Sequence, residues 1–227
     1  MNINFERLSQ AKVTSTLMII NIIVFVLMTL NGGSESIENL IKFGANSKIL
    51  VAQGQWWRLF TASFIHIGFF HILFNMYFFY SLGPLFERLF GSVNFLIIYL
   101  IAGVFGNLLS FAFGSPYTVS AGASTSLYGM LGLAIGMMAT YKNDEIIRSF
   151  GASFISVVVI NVIYSLLAPG VGVYGHLGGF IAGFLLAGIF PILGRELQSP
   201  RRLVSALVLL GASFALYRIG TKSMIGV

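Results

Sequence analysis

The chain has no cysteine among its 227 residues, which excludes disulfide frameworks, zinc–cysteine sites, iron–sulfur clusters and thiol catalysis. Charge is scarce too. Asp, Glu, Lys and Arg make up 9% of the residues against 57% hydrophobic, where a soluble domain carries about 25% charged residues. A water-soluble globule is excluded on that balance. The 13 Lys and Arg against 7 Asp and Glu give a net charge of +6. These cations are scattered and form no dense basic face, so nucleic acid is not an expected partner. Any chemistry must use oxygen and nitrogen groups.

Apolar sequence is what the chain has in abundance. A helix crossing about 30 Å of hydrocarbon needs roughly 20 apolar residues. Seven runs approach that length, at residues 13–30, 69–86, 93–113, 122–141, 150–168, 174–193 and a shorter 203–217 that contains Ser205, Gly211 and Ser213. The expectation is an all-α, polytopic membrane helical bundle. The first run lacks a small-residue cleavage site and reads as a retained anchor.

Orientation follows from the basic residues beside the spans. With the N-terminus in the cytoplasm, that side carries Arg7, Lys12, Arg88, Lys142, Arg148, Arg195, Arg201 and Arg202, whereas the opposite short loops at 114–121 and 169–173 carry no charge. The long first loop, about 31–68, holds Lys42, Lys48 and Arg58, and the tail holds Arg218 and Lys222. Within that loop "QWWRLFTASFIHIG" is too apolar for a solvated linker and too interrupted for a span. It reads as a structured element at the interface, with Trp56 and Trp57 at headgroup level, where an ordinary aromatic belt would also place them.

In so apolar a chain the informative residues are the polar ones at membrane depth, because each costs free energy unless partnered or solvated. There are three histidines, His66, His71 and His176. His71 and Asn75 are four positions apart and share a helix face. In the topology above, the second, fourth and sixth runs all enter from the non-cytoplasmic side. That puts His71, Asn75, Ser124 and His176 near the starts of three helices at similar depth. Gly122, Gly129, Gly132 and Gly136 form a small-residue stripe on the fourth run, and Gly179 with Gly183 form a GxxxG pair on the sixth. Close packing of these stripes would bring Ser124 toward His176.

A serine becomes a useful nucleophile when a neighbouring base takes its proton, and His176 is the candidate base. No carboxylate falls in the outer half of a span, so a serine mechanism here is a dyad and not a triad. His71, Asn75 and the backbone N–H of Ser124 could serve a developing oxyanion. Tyr128, one turn below Ser124, could pack on His176 and hold its ring. Metal hydrolysis fits poorly. His66 and His71 are five apart, about 140° around a helix, with no carboxylate nearby; neither metal nor cofactor is expected. A transporter or channel could explain Asn21, Asn107 and Asn161, but these lie on separate helices, where hydrogen bonding between helices is the plainer role.

These residues resemble the rhomboid family of intramembrane serine proteases. Trp57–Arg58 resembles its first-loop motif. "HIGFFHILFN" is similar to HxxxxHxxxN through His66, His71 and Asn75; Glu87 and Gly91 resemble the inner end of its second span. "GAS" at 122–124 is similar to the GxS nucleophile motif, with Tyr128 at the family's tyrosine, and "HLGGFIAG" is similar to HxxGxxxG through His176, Gly179 and Gly183. Two positions depart from the pattern: Thr125 stands where GxSG ends in glycine, beside the proposed oxyanion hole, and Pro84 replaces a common glycine, where a local kink is expected.

The resemblance implies a six-helix rhomboid-like catalytic core at 13–193, preceded by a cytoplasmic tail at 1–12 and followed by a basic cytoplasmic loop at 194–202 and a seventh transmembrane helix with tail at 203–227. It implies a serine endopeptidase with a Ser124–His176 dyad, an acyl-enzyme intermediate and an oxyanion hole of His71 and Asn75. Gly122, Tyr128, Gly179, Gly183, His66, Trp57 and Arg58 take supporting roles. Its partners would be transmembrane protein substrates, cut near the outer face of the lipid bilayer. The fifth helix and the loop at 168–175 resemble the family's mobile gate and cap. The implied setting is a bacterial plasma membrane with a cytoplasmic N-terminus. The alternative is a catalytically weak or inactive rhomboid-like protein that binds transmembrane clients, with Thr125 as the feature that suggests it.

Overall fold

The structure is a computed structural model that describes residues 10–168, 170 and 172–225. Arg7, most of the N-terminal tail, and residues 169, 171, 226 and 227 lie outside the described residues. Its elements in chain order are α1 (Lys12–Leu30), α2 (Ile37–Phe43), β1 (Asn46–Ser47), α3 (Lys48–Ala52), α4 (Arg58–Thr61), a 3-10 turn (Ala62–Phe64), α5 (Phe69–Phe90) and α6 (Ser92–Phe113). After these come β2 (Val119–Ser120), α7 (Ser124–Thr140), α8 (Glu145–Ala152), α9 (Ile155–Leu167), α10 (Val173–Leu186) and α11 (Ser199–Ile225). Five helices or helix pairs are long and apolar enough to cross a membrane: α1, α5, α6, α8 with α9, and α11. The protein is an integral, multi-pass membrane protein.

Helix α7 is the axis of the bundle. Every residue from Thr125 to Ala134 is buried, and the helix packs against α6 and α10 while α1, α9 and α11 stand at the periphery with exposed Ile, Leu, Val and Phe side chains. Apolar side chains on that outer surface suit lipid and would be costly in water. The α7–α10 contact is made by backbone. A Cβ on Gly179 would lie 1.9 Å from the Thr125 carbonyl oxygen, and one on Gly183 1.8 Å from that of Gly129. Only glycine permits this approach.

The first loop is folded, as its composition suggests. Ser36 caps α2 by accepting from the Asn39 N–H, and Gly44, at φ +98°, closes its other end. Arg58 donates to the Ile41 and Ala45 carbonyls at 2.8 and 3.0 Å and to Gln55 at 2.7 Å. Lys48 donates to the Ala112 and Gly114 carbonyls at 3.2 and 3.1 Å, neutralising the negative end of α6. Burial lowers the pKa of both cations below their ordinary values. Antiparallel pairing of Asn46 with Ser120 and Ser47 with Val119 ties this loop to the segment entering α7.

At the other end, the Glu87 carboxylate accepts from the backbone N–H groups of Val13 and Thr14, the Thr14 hydroxyl and the Ser92 hydroxyl at 2.6–3.0 Å. It thereby satisfies otherwise orphaned donors at the start of α1. Helix α5 continues unbroken through Pro84.

Three spans differ from their apolar runs. The sixth ends at Leu186, because Gly188 and Pro191 interrupt the helical pattern well before residue 193. The seventh is 27 residues long; its charged ends at Arg201, Arg202, Arg218 and Lys222 interrupt the hydropathy but not the helix. The fifth begins at Glu145, where the Asp144 carboxylate accepts from the Ile146 and Ile147 N–H groups, and divides into α8 and α9. Asn107 does bond between elements, to the Leu59 carbonyl and Ser63. Asn21 and Asn161 instead donate to their own helices, at Leu17 and Val157.

Candidate active site

Ser124 is the first residue of α7 and is half-buried. The turn before it needs a backbone that side chains disfavour: Gly122 sits at φ +138°, and a Cβ there would meet the His71 ring at 2.8 Å and the Ser124 hydroxyl oxygen at 3.4 Å. Two bonds fix this turn, from Gly122 N–H to the Ala62 carbonyl at 2.9 Å and from Ala123 N–H to His66 Nε2 at 3.3 Å. The fully buried His66 is thus a brace for the serine turn. It does not lie on the helix of His71: Gly68, at φ +78°, separates an extended segment from α5. Helical spacing between the two histidines therefore does not apply. Their rings instead pack against each other with centroids 5.2 Å apart.

His71 accepts at Nδ1 from the Ile67 N–H, 3.2 Å away. An imidazole that accepts at Nδ1 carries its proton on Nε2. That nitrogen faces Gly122, 2.9 Å from where a Cβ on that glycine would sit. Asn75 is buried on the next turn and donates one amide hydrogen to the His71 carbonyl at 2.8 Å.

His176, in the first turn of α10, faces Ser124 with Nε2 to Oγ at 2.9 Å. The Tyr128 ring stacks on its imidazole, with centroids 3.9 Å apart and planes 10° from parallel. The stack leaves the ring's edges free for hydrogen bonds, and both nitrogens are used. Nδ1 meets the Ser165 hydroxyl of α9 at 2.8 Å. Ser165 also bonds the Asn161 carbonyl at 2.9 Å and the Tyr128 hydroxyl, which itself donates to that carbonyl at 2.7 Å.

Ser165 is the site residue that sequence reasoning missed. The available signal was a serine four positions after Asn161 on an otherwise apolar helix, at the depth of the other polar residues.

The Thr125 side chain does not crowd the anion-binding side as its sequence position suggests. It lies toward Gly106 and Gly175, whose hypothetical Cβ atoms would sit 3.0 Å from it, because the residue after Ser124 is rotated about 100° around α7. Trp56 and Trp57 are exposed on the first loop, and Arg58 is engaged within it through the Ile41 and Ala45 carbonyls and Gln55. Gly179 and Gly183 set the α7–α10 separation described above. Among the described residues no group of three or more His, Asp or Glu is placed to hold a metal.

A membrane-embedded helical bundle whose close-packed glycine helices bring a serine hydroxyl within hydrogen-bond reach of a histidine defines the class. The rhomboid domain family model matches residues 53–192, and the chain belongs to the rhomboid family. It is 38% identical to the Rhomboid protease GluP of Bacillus subtilis over 204 residues, which are 90% of this chain and 39% of that protein. It is 33% identical to Rhomboid-like protease 1 of Toxoplasma gondii over 66% of this chain and 53% of that one. Against RHOMBOID-like protein 1 of Arabidopsis thaliana it is 38% identical over 67% of this chain and 39% of that one. The chain thus spans about two fifths to half the length of these relatives.

Proposed function

We propose that the chain is an intramembrane serine endopeptidase acting on transmembrane proteins near the outer face of the bilayer. The observation that carries this reading is the 2.9 Å contact between His176 Nε2 and Ser124 Oγ, at a turn whose other wall is the His71 imidazole. In the proposed reaction Ser124 Oγ attacks the scissile carbonyl carbon as His176 Nε2 takes the hydroxyl proton. The carbonyl oxygen becomes an oxyanion that receives hydrogen bonds from His71 Nε2–H, the Ser124 backbone N–H and the remaining amide hydrogen of Asn75. His176 then returns the proton to the leaving amine, leaving an acyl-enzyme. Water hydrolyses this ester with His176 again as base.

Residues 13–193 form the catalytic core in this reading, and α11 is an appended seventh span. The N-terminus is cytoplasmic in a bacterial plasma membrane, and α9 with the loop at 168–175 admits substrate. The client-binding alternative drew on Thr125, whose side chain lies against Gly106 and Gly175; no site observation favours it.

The test is cleavage of a single-span protein by purified chain in liposomes, beside Ser124→Ala, with product masses recorded. Cleavage by the unmodified chain alone, within or at the edge of the apolar segment, is expected. Equal cleavage by Ser124→Ala would remove the serine from the mechanism. Substrate capture without cleavage by either would favour a client-binding protein.

A further inference from the structure

Helix α9 presents mostly exposed apolar side chains; in the range Ile155–Leu167 the one buried residue is Ser165. A lone serine in such a helix commonly turns its hydroxyl back to the carbonyl four residues earlier, and Ser165 does so to Asn161 at 2.9 Å. That bond uses its only proton and leaves its lone pairs available. One of them faces His176 Nδ1 at 2.8 Å. The Tyr128 hydroxyl reaches both the Asn161 carbonyl and Ser165 Oγ; with the Ser165 proton on the carbonyl, the single Tyr128 proton is shared between the two and donates to the other Ser165 lone pair.

The geometry assigns Ser165 as a positioning residue for the base, a neutral hydroxyl where other serine hydrolases place a carboxylate; this rests on the protease reading above. The choice of tautomer is the physical point. His176 can take the Ser124 proton only if Nε2 is unprotonated, which places the ring proton on Nδ1. With the Ser165 proton held by the Asn161 carbonyl, Ser165 Oγ accepts from Nδ1–H, and the reactive tautomer is the one the network supports. The opposite tautomer would require Ser165 to withdraw its proton from that carbonyl and turn it toward Nδ1. As His176 becomes imidazolium, the same Nδ1–H···Oγ bond gains charge assistance. Because the acceptor rides on a loosely packed peripheral helix, the seating of α9 and the readiness of the base are coupled: displacement of α9 removes the group that orients His176.

Two measurements test this on the full chain in liposomes. The first is the ¹⁵N spectrum of histidine-labelled wild-type protein, with His176 assigned by the signals lost in His176→Ala. Neutral His176 protonated on Nδ1 is expected, and protonation on Nε2 overturns the assignment whatever any variant does. The second compares Ser165→Ala and Ser165→Thr for kcat, KM and Ser124-dependent labelling by a fluorophosphonate. Ser165→Ala is expected to lower kcat about ten- to hundredfold with KM within twofold. Ser165→Thr, whose hydroxyl can keep both bonds, should restore most of the loss. A Ser165→Ala enzyme with kcat within twofold of wild type overturns the positioning role while leaving the protease reading intact. A loss that Thr does not relieve and that moves KM as much as kcat also overturns it, in favour of a packing role. Wild-type protein that neither cleaves nor takes up the probe at Ser124 counts against the protease reading, and the ¹⁵N tautomer still decides the assignment of Ser165.

Discussion

A buried hydroxyl without a partner costs about 1–3 kcal/mol, and Thr125 Oγ1 has none among the described residues. Valine keeps the branched shape that fills the space beside Gly106 and Gly175 and removes that hydroxyl. Thr125→Val is therefore expected to raise the thermal midpoint with cleavage rates within twofold of wild type; a lower midpoint would mean that Oγ1 has a favourable interaction. The opposite logic applies to Asn75. Its second amide hydrogen is assigned to the oxyanion, so Asn75→Ala should lower kcat about 10²–10³-fold while the protein stays folded by thermal melting. Unchanged initial rates would take Asn75 out of the oxyanion hole. The two positions show where reading residues from sequence succeeds and where it stops. The spacing of His71 and Asn75 within one helix is a local property and is legible. The azimuth of Thr125 depends on how α7 is rotated against α6 and α10, and the partnership of Ser165 with His176 depends on where a fifth helix docks. Neither is encoded in local spacing.

Between elements, the decisive contact is the glycine seam of α7 and α10. Adding a methyl group at Gly183 would place it 1.8 Å from the Gly129 carbonyl oxygen, a backbone atom that can yield only if the helices part. Overpacking of this kind costs about 1–3 kcal/mol or more, and parting the helices also lengthens the Ser124–His176 contact. Gly183→Ala should thus lower the midpoint and cut cleavage at least tenfold. Gly211→Ala is the contrasting case, since nothing lies within 4 Å of its hypothetical Cβ and alanine favours helix over glycine by about 1 kcal/mol. It should leave activity unchanged and stability equal or higher. If both variants behave alike, the seam is not what sets the site. The GxxxG pair and the Gly stripe were legible as small-residue faces, but their mutual register was not. Nor were the ends of the sixth and seventh spans, because hydropathy reports apolar runs, whereas a helix such as α11 continues through charged residues and one such as α10 stops at Gly and Pro.

For the whole molecule, the distribution of cations is the basis of the proposed orientation, and the structure shows what several of them bind. On the proposed outer side, Lys48 and Arg58 spend their donors on backbone carbonyls inside the first loop, and these internally bound cations are poor anchors for an anionic cytoplasmic leaflet. On the proposed inner side, Lys142, Arg195 and Arg201 gather around the α7–α8 turn and the start of α11, where Arg201 reaches the Thr140 carbonyl at 3.4 Å. The Arg195–Asp144 pair at 3.0 Å is partly exposed and contributes little to stability. Positive charge in short cytoplasmic loops opposes their translocation. The absence of cysteine makes the consequence directly measurable, because one introduced thiol is the only one in the chain. Asn143→Cys, in the turn between α7 and α8, should react with a membrane-impermeant maleimide only after the cytoplasmic side is opened. Tyr117→Cys, in the exposed loop before β2 and 87% accessible, should react in intact cells. The reverse pattern would invert the bundle and put the Ser124 turn at the cytoplasmic face, so that substrates would be cut on the opposite side of the membrane.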